Sequence, residues 1–222
     1  MSRSFVALII AAVWPVLGCG SSGSVAPVRL LNASPGQAKL EGFMNNDLFA
    51  SNVSYGTASS YAQIIPGSPV LTVAVQGASR GLLSQTLSLI SGTSYTVMAA
   101  GYPSSVAAIL LTDNNTPPSA GNVNLRIINA APSLGTADVY VVAPGTNLRT
   151  VSPTVSAIGF DSASSYISLA TGNYQIYFTP TGQTVVLIDS GRLSFGAGQV
   201  RTVVGLNGAV TGYTTAVLAD LN

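Results

Sequence analysis

The sequence contains no histidine, one cysteine, one lysine and one tryptophan, and only 7% of its 222 residues are charged. Without histidine there is no Ser-His-Asp or Cys-His nucleophile and no His-ligated metal site. The lone lysine, Lys39, has no serine at Ser-x-x-Lys spacing, so a Ser–Lys dyad is not supported. The lone cysteine, Cys19, has no partner for an intramolecular disulfide. No Lys/Arg cluster exists to neutralise phosphates, which argues against nucleic acid. Leaving aside Arg3, seven basic and seven acidic residues remain, so electrostatic steering of a charged partner is not expected. No cofactor and no metal site is expected either. Asp113–Asn115 offers oxygen ligands but lacks the spacing of a calcium loop.

What is abundant is apolar and small polar residues: 47% of the chain is hydrophobic and 23 residues are glycine. Charged disorder is thereby excluded. The chain also writes one stretch twice, VRLLNASP at 28–35 and LRIINAAP at 125–132. The repeat continues: YGTASSY (55–61) matches FDSASSY (160–166), LSLISG (87–92) matches LSFGAG (193–198), and ILLTD (109–113) matches AVLAD (216–220). The offset between copies grows from 97 to 107 residues, so insertions fall in loops early in the second copy.

Within each copy apolar residues alternate. Leu71, Val73 and Val75 share one strand face, as do Leu83, Leu87 and Leu89, and as do Tyr174, Ile176 and Phe178. Gly, Pro, Asn and Ser turns recur every 8–15 residues, and no helical stripe follows the leader. This predicts an all-β chain of two tandem antiparallel β-sandwich domains, immunoglobulin-like or transthyretin-like in architecture. The expected boundaries are a signal peptide (1–18), a flexible tether (19–27), a first repeat (28–113), a linker (114–122) and a second repeat (123–222). The Pro-containing NNTPPSAGN linker is expected to join two separately packed units.

Residues 1–18 read as a signal peptide: Arg3, then an apolar stretch too short to span a bilayer comfortably. They end in VLGC, residues 16–19, which resembles the bacterial lipobox. That resemblance implies acylation of Cys19, with palmitate-like chains making membrane lipid a partner. The GSSGS that follows suits a flexible tether. Gly20, where aspartate would imply inner-membrane retention, favours the outer membrane of a Gram-negative cell envelope.

The paired openings, with ADVYVVAPG (137–145) and SYISLATGNYQIYF (165–178), resemble the DUF4397 family of secreted bacterial domains, once per copy. The first copy departs where AKLEGF (38–43) replaces the Asp-Val-Tyr-Val strand and where Ser68-Pro69 replaces Asn173-Tyr174. Membership implies a fold and no activity.

The functional expectation is a lipid-anchored, non-catalytic binding, adhesion or scaffold module, with an envelope protein or glycan as ligand. Two alternatives stand beside it: an envelope glycan hydrolase using two carboxylates at ~5–10 Å, and a passive surface-coat protein. The seven acidic residues are Glu41, Asp47, Asp113, Asp138, Asp161, Asp189 and Asp220. The repetition of Asp113 as Asp220 suggests a strand-end role. Arg29 and Arg126 repeat too and are expected to lie along the domain surface, bonding carbonyls of a neighbouring loop. Asn32 and Asn129 read as turn chemistry. Binding candidates are Tyr55, Tyr61 and Tyr166, as exposed aromatics or as packing groups, and Arg149, on the loop by which the second copy is longer.

Overall fold

The computed structural model describes residues 24–221. The leader, Cys19 and most of the tether lie outside the described residues. The alternating runs form strands, and each repeat supplies two sheets. In the first unit the strands are β1 (Ala26–Ala33), β2 (Lys39–Met44), β3 (Asp47–Ser54), β4 (Ala62–Ile64), β5 (Val70–Val75), β6 (Gly81–Thr86), β7 (Ser94–Ala100) and β8 (Ala107–Asp113). One sheet runs β4-β1-β7-β8 and the facing sheet β3-β2-β5-β6.

The second unit contains β9 (Asn122–Asn129), β10 (Ala137–Val142), β11 (Val155–Ile158), β12 (Ser162–Ala163), β13 (Ile167–Ala170), β14 (Gly172–Pro180), β15 (Ile188–Phe195), β16 (Val200–Asn207) and β17 (Tyr213–Leu221). Its sheets run β12-β9-β16-β17, with β13 also on β9, and β11-β10-β14-β15. The strand order therefore repeats, and the chain folds as two β-sandwiches. Among the described residues no helix is long and apolar enough to cross a membrane.

One pairing in each unit departs from the antiparallel expectation: β1 runs parallel to β7, and β9 parallel to β16. The reason is connectivity. β7 and β16 each arrive from the facing sheet and enter beside the opening strand in the same direction.

Alternation fills each sandwich. Leu30, Leu40, Leu71, Val73 and Val97 are wholly buried in the first core, and Ile127, Val139, Ile176, Phe178 and Val203 in the second. Two glycines make room for rings: a Cβ on Gly42 would lie 2.6 Å from Phe49, and one on Gly205 2.9 Å from Phe178.

The opening strands are buried on both faces. Val28 and Leu30 point into their own sandwich, whereas Leu31 and Ala33 point the other way. There they meet Met98, Ala100, Ile128, Ala130, Val204, Leu206 and Leu218 in a third core contributed by both units. The expectation of separately packed units is thus corrected. The sheets containing β1 and β9 each bury a second apolar face against the other, and each wholly buried Leu or Ile there contributes roughly 1.5–3 kcal/mol.

Candidate functional site

The same inward faces carry the chain's buried charges. On β1 the position two before Leu31 is Arg29, and on β9 the position two before Ile128 is Arg126, so both guanidinium groups face the other unit. Arg29 Nη2 donates to Asp220 Oδ1, and Arg126 Nη2 donates to Asp113 Oδ1 at 2.7 Å. Arg29 Nη1 reaches the carbonyl of Ala219 at 2.8 Å and Arg126 Nη1 that of Thr112 at 3.2 Å. Each Nε donates to a threonine hydroxyl of its own unit, Thr96 at 2.8 Å and Thr202 at 3.0 Å.

The carboxylates are saturated in the same reciprocal way. Asp113 Oδ2 accepts from Thr96 (2.6 Å) and Tyr61 (2.7 Å). Asp220 Oδ2 accepts from Thr202 (2.6 Å) and Tyr166 (2.8 Å). Each arginine also lies 4.8 Å from the ring centre of its own unit's tyrosine, Arg29 over Tyr61 and Arg126 over Tyr166, a geometry that adds cation–π attraction. The aspartate side chains are 0% exposed and the arginines 3%. Group i of one unit meets group j of the other and vice versa, the pattern of a two-fold interface inside one chain.

Burial opposes the Arg29 charge, but Asp220, Tyr61 and Asp113 together outweigh it and hold its pKa above the ordinary guanidinium value. Burial first, then the neighbouring aspartate, pushes the Tyr61 phenol well up. For Tyr166 burial also raises the pKa, Arg126 opposes it, and Asp220 adds to the rise. Both phenols are therefore fixed as neutral donors.

Arg29 and Arg126 are thus not surface residues bonding a nearby loop; they are buried, and each spans the two units. The reason is the second apolar face, which leaves an arginine at its edge no solvent to reach. Asp113 and Asp220 do sit at the ends of last strands, as counter-ions of the opposite unit. The structure brings these two carboxylates together only inside this cluster, where each accepts from an arginine, a threonine and a tyrosine. The remaining carboxylates are dispersed. Asp138 accepts from the amides of Ala157 and Gly182, Glu41 from that of Gly77, and Asp189 from Gln175 and Gly191. No group of three His, Cys, Asp or Glu that could hold a metal occurs among the described residues.

Of the binding candidates, Tyr61 and Tyr166 belong to the cluster. Tyr55 packs against the shared core and donates to the carbonyl of Asn207 in the other unit at 2.8 Å. Burial, with Tyr102 nearby, raises its pKa to about 12. Arg149 stands apart, exposed on a single 3-10 turn, Leu148–Thr150, whose start Asn147 caps through Oδ1. Asn32 and Asn129 close the turns after β1 and β9 and also donate to Val53 and Ile158.

One open surface feature was not visible in the sequence reading. Between the edge strands β3 and β4, a groove of about 340 Å³ is lined by Met44, Leu48, Phe49, Ile64 and Ile65, with Asn45, Asp47 and Gln63 at its rim. The adjacent isoleucines break strict alternation, which is the signal that one faces outward.

A family model described as a domain of unknown function, DUF4397, matches residues 26–140. The chain belongs to the DUF4397 family. The DUF4397 match starts at the first residue of β1, covers the whole first unit and ends within β10. No curated protein matches the sequence. Among solved structures, similar chains include a family 41 carbohydrate-binding module from streptococcal virulence factors, described for alpha-glucan recognition (10% identity, TM-score 0.30, 86% of this chain and 96% of that one). Another is CBMbc, of family CBM26, from Eubacterium rectale Amy13K in complex with maltoheptaose (14% identity, TM-score 0.29, 86% and 96%). A third is a streptococcal virulence factor described for alpha-glucan binding (9% identity, TM-score 0.27, 86% and 97%). The sandwich assignment for the DUF4397 chain rests on its own strand order.

Proposed function

We propose that this DUF4397 protein is a lipid-anchored, non-catalytic module of the bacterial cell envelope, held through acylated Cys19, whose two units, each a copy of the family's domain, act as one rigid body. The observation that carries this reading is the reciprocal Arg29–Asp220 and Arg126–Asp113 cluster. It commits four of the chain's few charges to holding the units together. It also removes from chemistry the only two carboxylates that repeat between the copies. A glycan hydrolase needs one carboxyl free to gain and lose a proton beside its substrate, and these two are enclosed by donors. A body so joined presents its loops and sheet edges in one fixed orientation at the end of a short tether. That arrangement serves adhesion or scaffolding, with an envelope glycan or protein as ligand.

Two measurements test the reading. Cells supplied with labelled palmitate should label the native protein and not Cys19→Ser, and the variant should leave the membrane fraction. Label retained by Cys19→Ser overturns the anchor. The purified protein incubated with envelope glycans should release no reducing ends, and sustained release would overturn the non-catalytic role.

A further inference from the structure

The two units share a fold but not the character of one end. In the first unit that end gathers the approach to β1, the β2–β3 turn, the β4–β5 loop and the β6–β7 turn. Hydrogen bonds tie these segments together: Gly92 N to Val25 O, the Gly67–Leu89 pair, Asn45 N to Val70 O, and Val70 N to Asn45 Oδ1. Ala26 pairs with Ile64, which sets Val25 beside Ile65. Exposed there are Val25 (36%), Leu48 (55%), Ile65 (82%), Val70 (43%) and Ile90 (66%). The groove between β3 and β4 opens onto the same end, and its one charged residue is Asp47.

The fold does not require these residues. Taken at the offsets of the repeat, Val25, Ile65, Val70 and Ile90 correspond to Asn122, Ala170, Gln175 and Gly196. The buried neighbours stay apolar at the same offsets, Leu71 with Ile176 and Leu89 with Phe195. Large apolar side chains at water-facing positions of one copy, absent from the other, mark a surface that meets something apolar.

What it meets follows from the chain itself. Val25 lies six residues after Cys19, and six extended residues reach at most roughly 20 Å. If Cys19 is acylated, this end of the first unit cannot leave the membrane surface. We propose that it docks on the bilayer, with Val25, Leu48, Ile65, Val70 and Ile90 at the level of the lipid headgroups. The inference rests on the anchoring reading and deepens it: the lipid chains hold the protein, and the apolar end orients it. The exposed Val185 and Val186 lie in the β14–β15 loop, at the far end of the second sandwich, and serve as the contrast.

The test places a reporter at each end. The chain's one tryptophan, Trp14, lies in the leader, so Ile65→Trp and Val185→Trp can each be read against the unsubstituted protein. The proteins are purified from palmitate-labelled cells and reconstituted into phosphatidylethanolamine–phosphatidylglycerol vesicles containing brominated acyl chains. Ile65→Trp should be blue-shifted and quenched roughly twofold, since side chains of interfacial segments enter ~5–10 Å into the headgroup–acyl boundary. Val185→Trp should be unaffected. Equal quenching at both ends, or none at Ile65→Trp in labelled protein, overturns the docking. A shift at Ile65→Trp that follows protein concentration and ignores vesicles also overturns it, assigning the face to a second copy. Absence of palmitate label defeats the anchor alone. The quenching of Ile65→Trp by the same vesicles then still decides the docking.

Discussion

The faces by which the two units meet are nearly the same, and the ends by which they meet their surroundings are not. Arg29, Tyr61, Thr96 and Asp113 have counterparts in Arg126, Tyr166, Thr202 and Asp220, and each pair makes the same bonds. At the end nearest the tether, Val25, Ile65, Val70 and Ile90 face Asn122, Ala170, Gln175 and Gly196 in the same places. The difference separates two kinds of constraint. An interface of two-fold type constrains both copies alike, because a change in one copy leaves an unpaired group in the other. A surface used once leaves its counterpart free to become polar or small.

The strongest way to break the symmetry is to remove one charge from the cluster, leaving two aspartates to one arginine. Arg29→Ala leaves Asp220 buried without its hydrogen-bonded arginine, only Arg126 remaining at 3.7 Å, which should cost about 3–5 kcal/mol. Arg126→Ala should cost a similar amount through Asp113, as measured by urea unfolding. Replacing Arg29 and Asp220 together with Met and Leu should recover most of that loss, because a well-packed apolar pair has no charge to desolvate. Markedly unequal costs for the two arginines would show that the bonds, though alike, are not equivalent.

The sandwich interiors allow a second comparison. Gly205→Ala sets a methyl 2.9 Å from Phe178 and 3.1 Å from Ile188, both fully buried, so overpacking should cost roughly 1–3 kcal/mol. Gly42→Ala makes the closer contact, 2.6 Å, but with Phe49, which is only partly buried and can swing outward. Its cost should be the smaller of the two in the same unfolding experiment.

The smallest effect concerns a place where the copies share a backbone angle but not the residue that adopts it. Gly56 and Asp161 both adopt positive φ, 74° and 61°, and both donate their amide to an asparagine carbonyl of their unit's opening strand, Asn32 and Asn129. Asp161 Oδ1 is buried without a partner, and burial raises its pKa to about 6 from 3.8. The folded state then holds a proton that the unfolded state releases, so this contribution is full below pH ~4 and is lost as pH rises through about 6. Asp161→Asn should flatten stability over that window and raise the melting temperature at pH 7 to 8. An unchanged pH profile would count against it.

Much of the fold was readable from the sequence, because period-two alternation and turn residues act locally. Leu71 and Val73, and Ile176 and Phe178, lie where their alternation put them. The parallel β1–β7 and β9–β16 pairings were not readable, since strand direction depends on which sheet the chain has just left. The meeting of the units had a signal that goes beyond alternation. VRLLNA, YTVMAA, LRIINAA and VRTVVGL run almost continuously apolar, as strands buried on both faces do. Arg29 and Arg126 were legible as a repeated pair but not as counter-ions of Asp220 and Asp113, 191 and 13 residues away, because nothing local encodes a contact between copies. Ile65 in the groove was legible from its place next to Ile64, against strict alternation, and from its counterpart Ala170 in the other copy.

The central claim is that the shared core and the ion cluster make one body of two sandwiches. Differential scanning calorimetry of the native protein tests it most directly. One transition is expected, with van't Hoff and calorimetric enthalpies equal. Arg29→Ala should lower that single transition or split it. Two independent transitions in the native protein, with one unaffected by Arg29→Ala, would contradict the account.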